Sequence, residues 1–202
     1  MQGRPDFAWA HGISGRRCHH QGDLHQRRPR SVLERRTPIG PDETAGDLFA
    51  RLAVLGGEAI VEALDRIAAG TATYTPQDPT GVTLAPKLTK DDGRLDWARP
   101  AAALARLVRG VNPWPGARTT LPDGRELEVL GARALRESAD MPPGTLLADA
   151  AGRARPAVAT GDGVLELTLV KPAGKGAMDA GSFLRGARLA PGTVLGGPAS
   201  AS

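Results

Sequence analysis

The sequence predicts an α+β fold, and three features of the text lead there. Leucines fall at helical spacing across residues 44–70 and again across 100–111. From residue 125 onward apolar and polar residues alternate in short runs instead. Asp123-Gly124 and Asp162-Gly163 mark turns between those runs, the pattern of a small barrel or sandwich.

The leading segment stands apart. Residues 1–36 carry eight Arg against Asp6, Asp23 and Glu34, a balance of +5, within a chain whose total is +4. The remaining residues therefore sum to −1, and the basicity of the whole says nothing about nucleic-acid binding by the folded part. Apolar residues before about Arg30 show neither helical nor strand spacing, so disorder is expected there.

Pro38 and Pro41 close an extended piece, and Asp42, Glu43 and Thr44 supply capping oxygens for a helix. Leu48, Leu52 and Leu55 line one face of it. Gly56-Gly57 is read as a break, after which Ile60, Leu64 and Ile67 repeat the spacing up to Gly70, so two amphipathic helices are expected. Residues 71–97 read as a connecting strap rich in Pro, Gly, Asp and Thr, with Trp97 as its anchor. A further helix starts near Pro100, turns Leu104, Leu107, Val108 and Val111 inward, and ends at Asn112-Pro113-Trp114-Pro115. Trp114 is expected to pack against the sheet. Strands are expected at Arg125–Leu130, around Thr145–Leu147, near Ala157–Ala159, and after Gly163 with Leu165, Leu167 and Leu169 on one face. The tail beyond residue 195 is Gly, Pro, Ala and Ser and is expected to be loose.

Composition excludes several chemistries. No His and no Cys occurs after residue 36, which removes Ser-His-Asp and Cys-His nucleophiles and His- or Cys-bound zinc from the body of the chain. Cys18, His19, His20 and His25 lack a flanking scaffold that would fix them as ligands. Neither GxxxxGK[ST] nor GxGxxG is present. No apolar run reaches the ~18 residues of a membrane span. With a single Cys, a reducing, cytoplasmic setting is expected. The most basic stretch is 86–120, where Lys87, Lys90, Arg94, Arg99, Arg106, Arg109 and Arg118 face only Asp91, Asp92 and Asp96. Such a line can contact phosphates, and ordinary surface charge is the competing reading.

Three blocks carry a family resemblance. Ala85-Pro86-Lys87-Leu88-Thr89-Lys90-Asp91-Asp92-Gly93-Arg94-Leu95-Asp96-Trp97 resembles the linker signature of methionyl-tRNA formyltransferases. Asn112-Pro113-Trp114-Pro115-Gly116-Ala117 is similar to the motif that ends the first helix of their C-terminal domain. Pro172-Ala173-Gly174-Lys175, with Met178, Phe183 and Gly186, resembles that domain's last strand and closing helix. The match runs from about Val32 to about Leu195.

The resemblance implies a domain plan. Residues 32–70 would be the C-terminal remnant of an α/β catalytic domain, 71–97 a linker, and 98–195 an OB-like β-barrel that binds tRNA. The family moves a formyl group from 10-formyltetrahydrofolate, its co-substrate, to the amino group of methionine on initiator tRNA. Lys87 and Lys90 are the tRNA contacts the resemblance implies. Arg106, Arg109, Lys171 and Lys175 rank behind them, with plain surface charge as the alternative. No catalytic, cofactor or metal residue is implied in this chain. Residues 1–31 depart from the family text and are expected to be disordered, or read in another frame or from a wrongly assigned start. The chain is expected to be truncated, inactive alone and monomeric. A tRNA-binding module without chemistry, or a relative acting on a nucleotide sugar, are the competing readings.

Overall fold

The computed structural model describes residues 30–76 and 85–196, together with the backbone of 7–12. Cys18, His19, His20 and His25, residues 77–84 of the strap and the tail after 196 lie outside the described residues. The chain divides into two compact units, Met1–Pro86 and Lys87–Ser202.

In the first unit, β1 (Phe7–Gly12) pairs antiparallel with β3 (Leu33–Pro38), while β2 (Arg30–Ser31) pairs with β4 (Thr75–Pro76). Within the leading segment, then, the expected disorder does not hold for β1. Its pairing partner comes from later in the chain, which the spacing of one strand cannot reveal. One helix follows where two were expected: α1 runs unbroken from Ala45 to Ala68. Its start is a capping box, in which the Thr44 hydroxyl accepts from the Asp47 N–H at 3.2 Å and the Asp47 carboxylate accepts from the Thr44 N–H at 3.1 Å. Gly56 and Gly57 sit inside the helix with open space around them. Each costs about 1 kcal/mol against alanine, and the helix formers on either side outweigh that. Gly70, at φ +68°, ends it, with the Thr71 N–H bonded to the Arg66 carbonyl at 2.9 Å. Ala59 and Ala63 pack on Leu33, and Glu62 accepts from both Arg35 and Arg66.

The second unit begins at Lys87, earlier than the expected boundary at residue 98. A 3₁₀ turn, Asp91–Gly93, precedes an extended piece in which Gly93, Leu95 and Trp97 are buried while Arg94 and Asp96 face out. Then come α2 (Ala101–Gly110), β5 (Ala117–Thr120), β6 (Glu126–Leu135), β7 (Leu146–Ala148), β8 (Ala154–Ala159), β9 (Val164–Pro172), β10 (Met178–Asp179) and α3 (Ala180–Ala187). The sheet order is β5-β6-β9-β8-β7, with β10 also on β9, and every ladder is antiparallel. The protein is thus α+β as read from the sequence. Leu104 and Val108 of α2, Leu127, Val129, Leu146, Val158, Leu165 and Val170 of the sheet, Trp97 and Phe183 form one core. Burying each such side chain stabilises by about 1.5–3 kcal/mol.

Four details depart from the sequence reading. Where an OB-like barrel was expected, the strands form a six-stranded sheet with two edges, β5 and β7, and no ladder joins them among the described residues. Residues 193–196 lie between those edges instead. The Leu146 N–H bonds the Thr193 carbonyl, the Leu195 N–H the Gly144 carbonyl, and the Gly196 N–H the Thr120 carbonyl, each at 2.8 Å. Leu169 is exposed and Val170 buried, because a register shift opposite Gly131 and Ala132 leaves Thr168 as an extra residue in β9, so Thr168 and Leu169 both face out. Trp114 is 54% exposed rather than packed, since Val111 and Ala117 on either side already fill the core. β5 was not foreseen, its four residues Ala-Arg-Thr-Thr offering no apolar alternation.

Candidate nucleic-acid interface

The strap docks along β5. Leu95 N–H donates to the Arg118 carbonyl at 2.8 Å, and Arg94 and Arg118 form a parallel bridge. Trp97 Nε1 donates to the Thr119 hydroxyl at 3.1 Å, which satisfies the buried indole. This approach needs two glycines. A Cβ on Gly93 would lie 2.0 Å from the Gly116 carbonyl oxygen, and one on Gly161 would lie 1.8 Å from that of Ala98.

Docking brings cations together. Lys90, Arg94 and Arg118 line a cleft of about 210 Å³ with Asp91, Thr119, Thr120 and Glu126. Lys87 is exposed just upstream. Across the sheet, Arg118 pairs in register with Glu128, and Glu128 with Lys171, so one row crosses β5, β6 and β9. Lys171 Nζ lies 3.3 Å from the Glu128 carboxylate, and Arg118 lies 4.0 Å from that of Glu126. Lys87, Lys90 and Arg94 make no ion pair among the described residues. The strap's charge is therefore open to solvent, while the sheet's is partly neutralised. Asp92, though exposed, bonds back to its own turn, accepting from the Thr89 N–H at 2.6 Å and hydroxyl at 2.8 Å. Those bonds, the backbone one foremost, hold its carboxyl below the ordinary value.

Of the six cations singled out from the sequence, the structure unites Lys90 with its neighbour Lys87 on the strap and sets Lys171 in the row behind. Lys175 is exposed at the turn after β9, where its N–H donates to the Pro172 carbonyl at 3.0 Å. Arg106 and Arg109 ride on α2. Arg106 is exposed, and Arg109 bonds back to the Ala105 carbonyl at 3.3 Å. No hydrogen bond or ion pair links either to the row among the described residues. Arg94 and Arg118, counted in the basic stretch but not singled out from it, also line the cleft. The alternation Gly93-Arg94-Leu95-Asp96-Trp97 was the available signal for Arg94, since it turns the arginine outward. Nothing comparable marks Arg118. No group of three or more His, Cys, Asp or Glu able to hold a metal occurs among the described residues.

A sheet with a helix packed on it, entered through a cationic strap, is the frame matched by a family model, the C-terminal domain of formyl transferases, over residues 87–188. The chain belongs to the formyltransferase family through this domain. Its relatives are named methionyl-tRNA formyltransferase. The one from Roseiflexus sp. (strain RS-1) is 44% identical over 166 residues, 82% of this chain and 50% of the relative. The one from Methylobacterium sp. (strain 4-46) is 48% identical over 170 residues, 83% of this chain and 52% of the relative. The chain thus spans about half the length of the curated relatives it matches. Crystal structures of HypX from Aquifex aeolicus share the fold. A variant of it aligns with TM-score 0.54 and 20% identity over 80% of this chain and 29% of that one. The form in complex with tetrahydrofolic acid gives 0.54 and 19% over 78% and 27%.

Proposed function

We propose that the chain is the acceptor-holding part of a methionyl-tRNA formyltransferase and grips initiator Met-tRNA in translation initiation. The observation that carries this is the set of unpaired strap cations, Lys87, Lys90 and Arg94, fixed beside a sheet in a chain 44–48% identical to enzymes of that name. Lysines and arginines placed this way bind phosphate oxygens and release counterions. Lys171 and Lys175 extend the surface, and Arg106 and Arg109 offer outlying contacts. With residues 193–196 spanning the sheet edges, the domain reads as an OB-like fold, and such folds hold nucleic acid. We assign the donor, 10-formyltetrahydrofolate, and the proton transfers to the half of the relatives' length that this chain does not span. Residues 37–202 contain no His or Cys to serve near neutral pH. The module acts as a monomer in the cytoplasm. No described helix is long and apolar enough to cross a membrane.

The test is initiator-tRNA binding as salt is raised. Three phosphate contacts give a log–log slope of about −3. Lys87→Ala with Lys90→Ala lowers affinity about tenfold and flattens the slope by about 2. Salt-independent binding, or an unchanged slope in the double variant, overturns the reading. Formyl transfer by the purified 202-residue chain from the donor to Met-tRNA would show that its chemistry lies in these residues after all.

A further inference from the structure

The geometry assigns Arg118 a positioning role: it clamps the strap turn to the sheet so that Lys90 and Arg94 are presented to RNA. This rests on the reading of the strap as a tRNA-binding surface. The Arg118 guanidinium donates to the backbone carbonyl of Lys90 at 2.6 Å. Among the described residues it is the only side-chain hydrogen bond from the sheet to residues 87–94. The carbonyl it grips also accepts the Gly93 N–H at 3.2 Å, so the clamp falls on the residue that closes the turn. That turn is also knitted internally by Thr89 and Asp92. On its far side, the Arg118 carbonyl receives the Leu95 N–H at 2.8 Å. One residue therefore holds the strap at two points that bracket Arg94.

Competing uses of this arginine are weak. Its side chain is 25% exposed, and its nearest carboxylate, Glu126, is 4.0 Å away and itself 67% exposed. Glu128, directly across the ladder, is engaged by Lys171. Lys90 and Arg94, by contrast, are exposed. A guanidinium carries five donors in a fixed fork, so it can grip a carbonyl and still neutralise a neighbouring acid. Without the clamp the turn would open more often, and the two cations would sample many directions and lose their shared aim.

The experiment is a double-mutant cycle on tRNA affinity, with amide exchange beside it. Arg118→Met is made in the unaltered chain and in a Lys90→Ala/Arg94→Ala background. A residue acting through Lys90 and Arg94 costs about fivefold in the first and less than about twofold in the second. Equal losses in both backgrounds overturn the proposal, because Arg118 would then touch RNA itself. No loss in either, with the unaltered chain binding normally, overturns it as well. Exchange at the Gly93 and Arg94 amides should quicken in Arg118→Met while β6 and β9 stay unchanged, and Arg118→Lys should restore slow exchange. Turn amides that exchange at the unaltered rate in Arg118→Met, or a Lys variant as fast as the Met variant, also overturn it. If the unaltered chain fails to bind tRNA, the proposed function falls, and the exchange data alone decide the clamp.

Discussion

Gly93 has no room for a side chain. Its would-be Cβ meets the Gly116 carbonyl at 2.0 Å, and both partners are backbone, which cannot swing aside. Gly93→Ala should therefore cost about 1–3 kcal/mol in chemical denaturation, with the strap displaced. Gly110→Ala, where nothing lies within 4 Å, should cost far less. Asp92 makes a pH prediction. Its carboxyl is held below its ordinary 3.8 by the Thr89 N–H and then the Thr89 hydroxyl. A depressed folded value means that this contribution is fully present above about pH 3.8 and fades as pH falls through the lower folded value. Exchange of the strap-turn amides should quicken across that acid window, and Asp92→Asn should flatten the response. At this scale the sequence was half legible. Trp97 announced itself as an anchor because a tryptophan at the end of a polar strap has one obvious use. Arg118 did not, because its partner is a backbone carbonyl 28 residues away, and no sequence pattern encodes a carbonyl.

At the scale of the element, α1 carries the sharpest test. The paired glycines invite a break, yet the helix continues through them with space on every side. Gly57→Ala should then stabilise by about 0.5–1 kcal/mol, read from thermal melting of the α1 helical signal. Two helices meeting at that point would make the same change neutral or harmful. The spacing rule failed on continuity, since local glycine cost is small beside the capping box and Schellman-type end that fix the two termini. It also failed on the face of the second half, where Ile60, Leu64 and Ile67 are exposed and Ala59 and Ala63 are buried. A comparable limit shows in β9. Alternation alone puts Leu169 inside, while the extra residue Thr168, where β9 slips one place against Gly131 and Ala132, sends Val170 in instead. A strand's partner sets its face, and that partner is not local.

Across the whole molecule, the two units differ in how much they bury. Among the described residues, the first has Leu33, Ala59 and Ala63 as its buried cluster, against a cluster of twenty in the second. On α1, Phe49 is 76% and Val54 66% exposed. Amides of α1 should accordingly exchange faster than those of β6 and β9. Slow exchange across 44–70, equal to that of the sheet, would contradict this. A fragment of residues 87–202 should unfold in a single cooperative step with its midpoint unchanged from the sheet's transition in the full chain. Helix and strand segments were readable because each has its own periodicity, and the strap between them because it has none. The open edges of the sheet were not, because residues 193–196 carry no strand pattern and act only through backbone groups.

That closing segment has a consequence in time. Gly196 would press a Cβ within 2.8 Å of the Trp97 ring, and Gly144, beside it, bonds Leu195. During synthesis the indole must wait for residues made 99 positions later, a delay of roughly 5 to 20 s at ribosomal speed. Until then the edge of the ring that Gly196 covers stays open to water, and the domain closes over it only when residues 193–196 arrive.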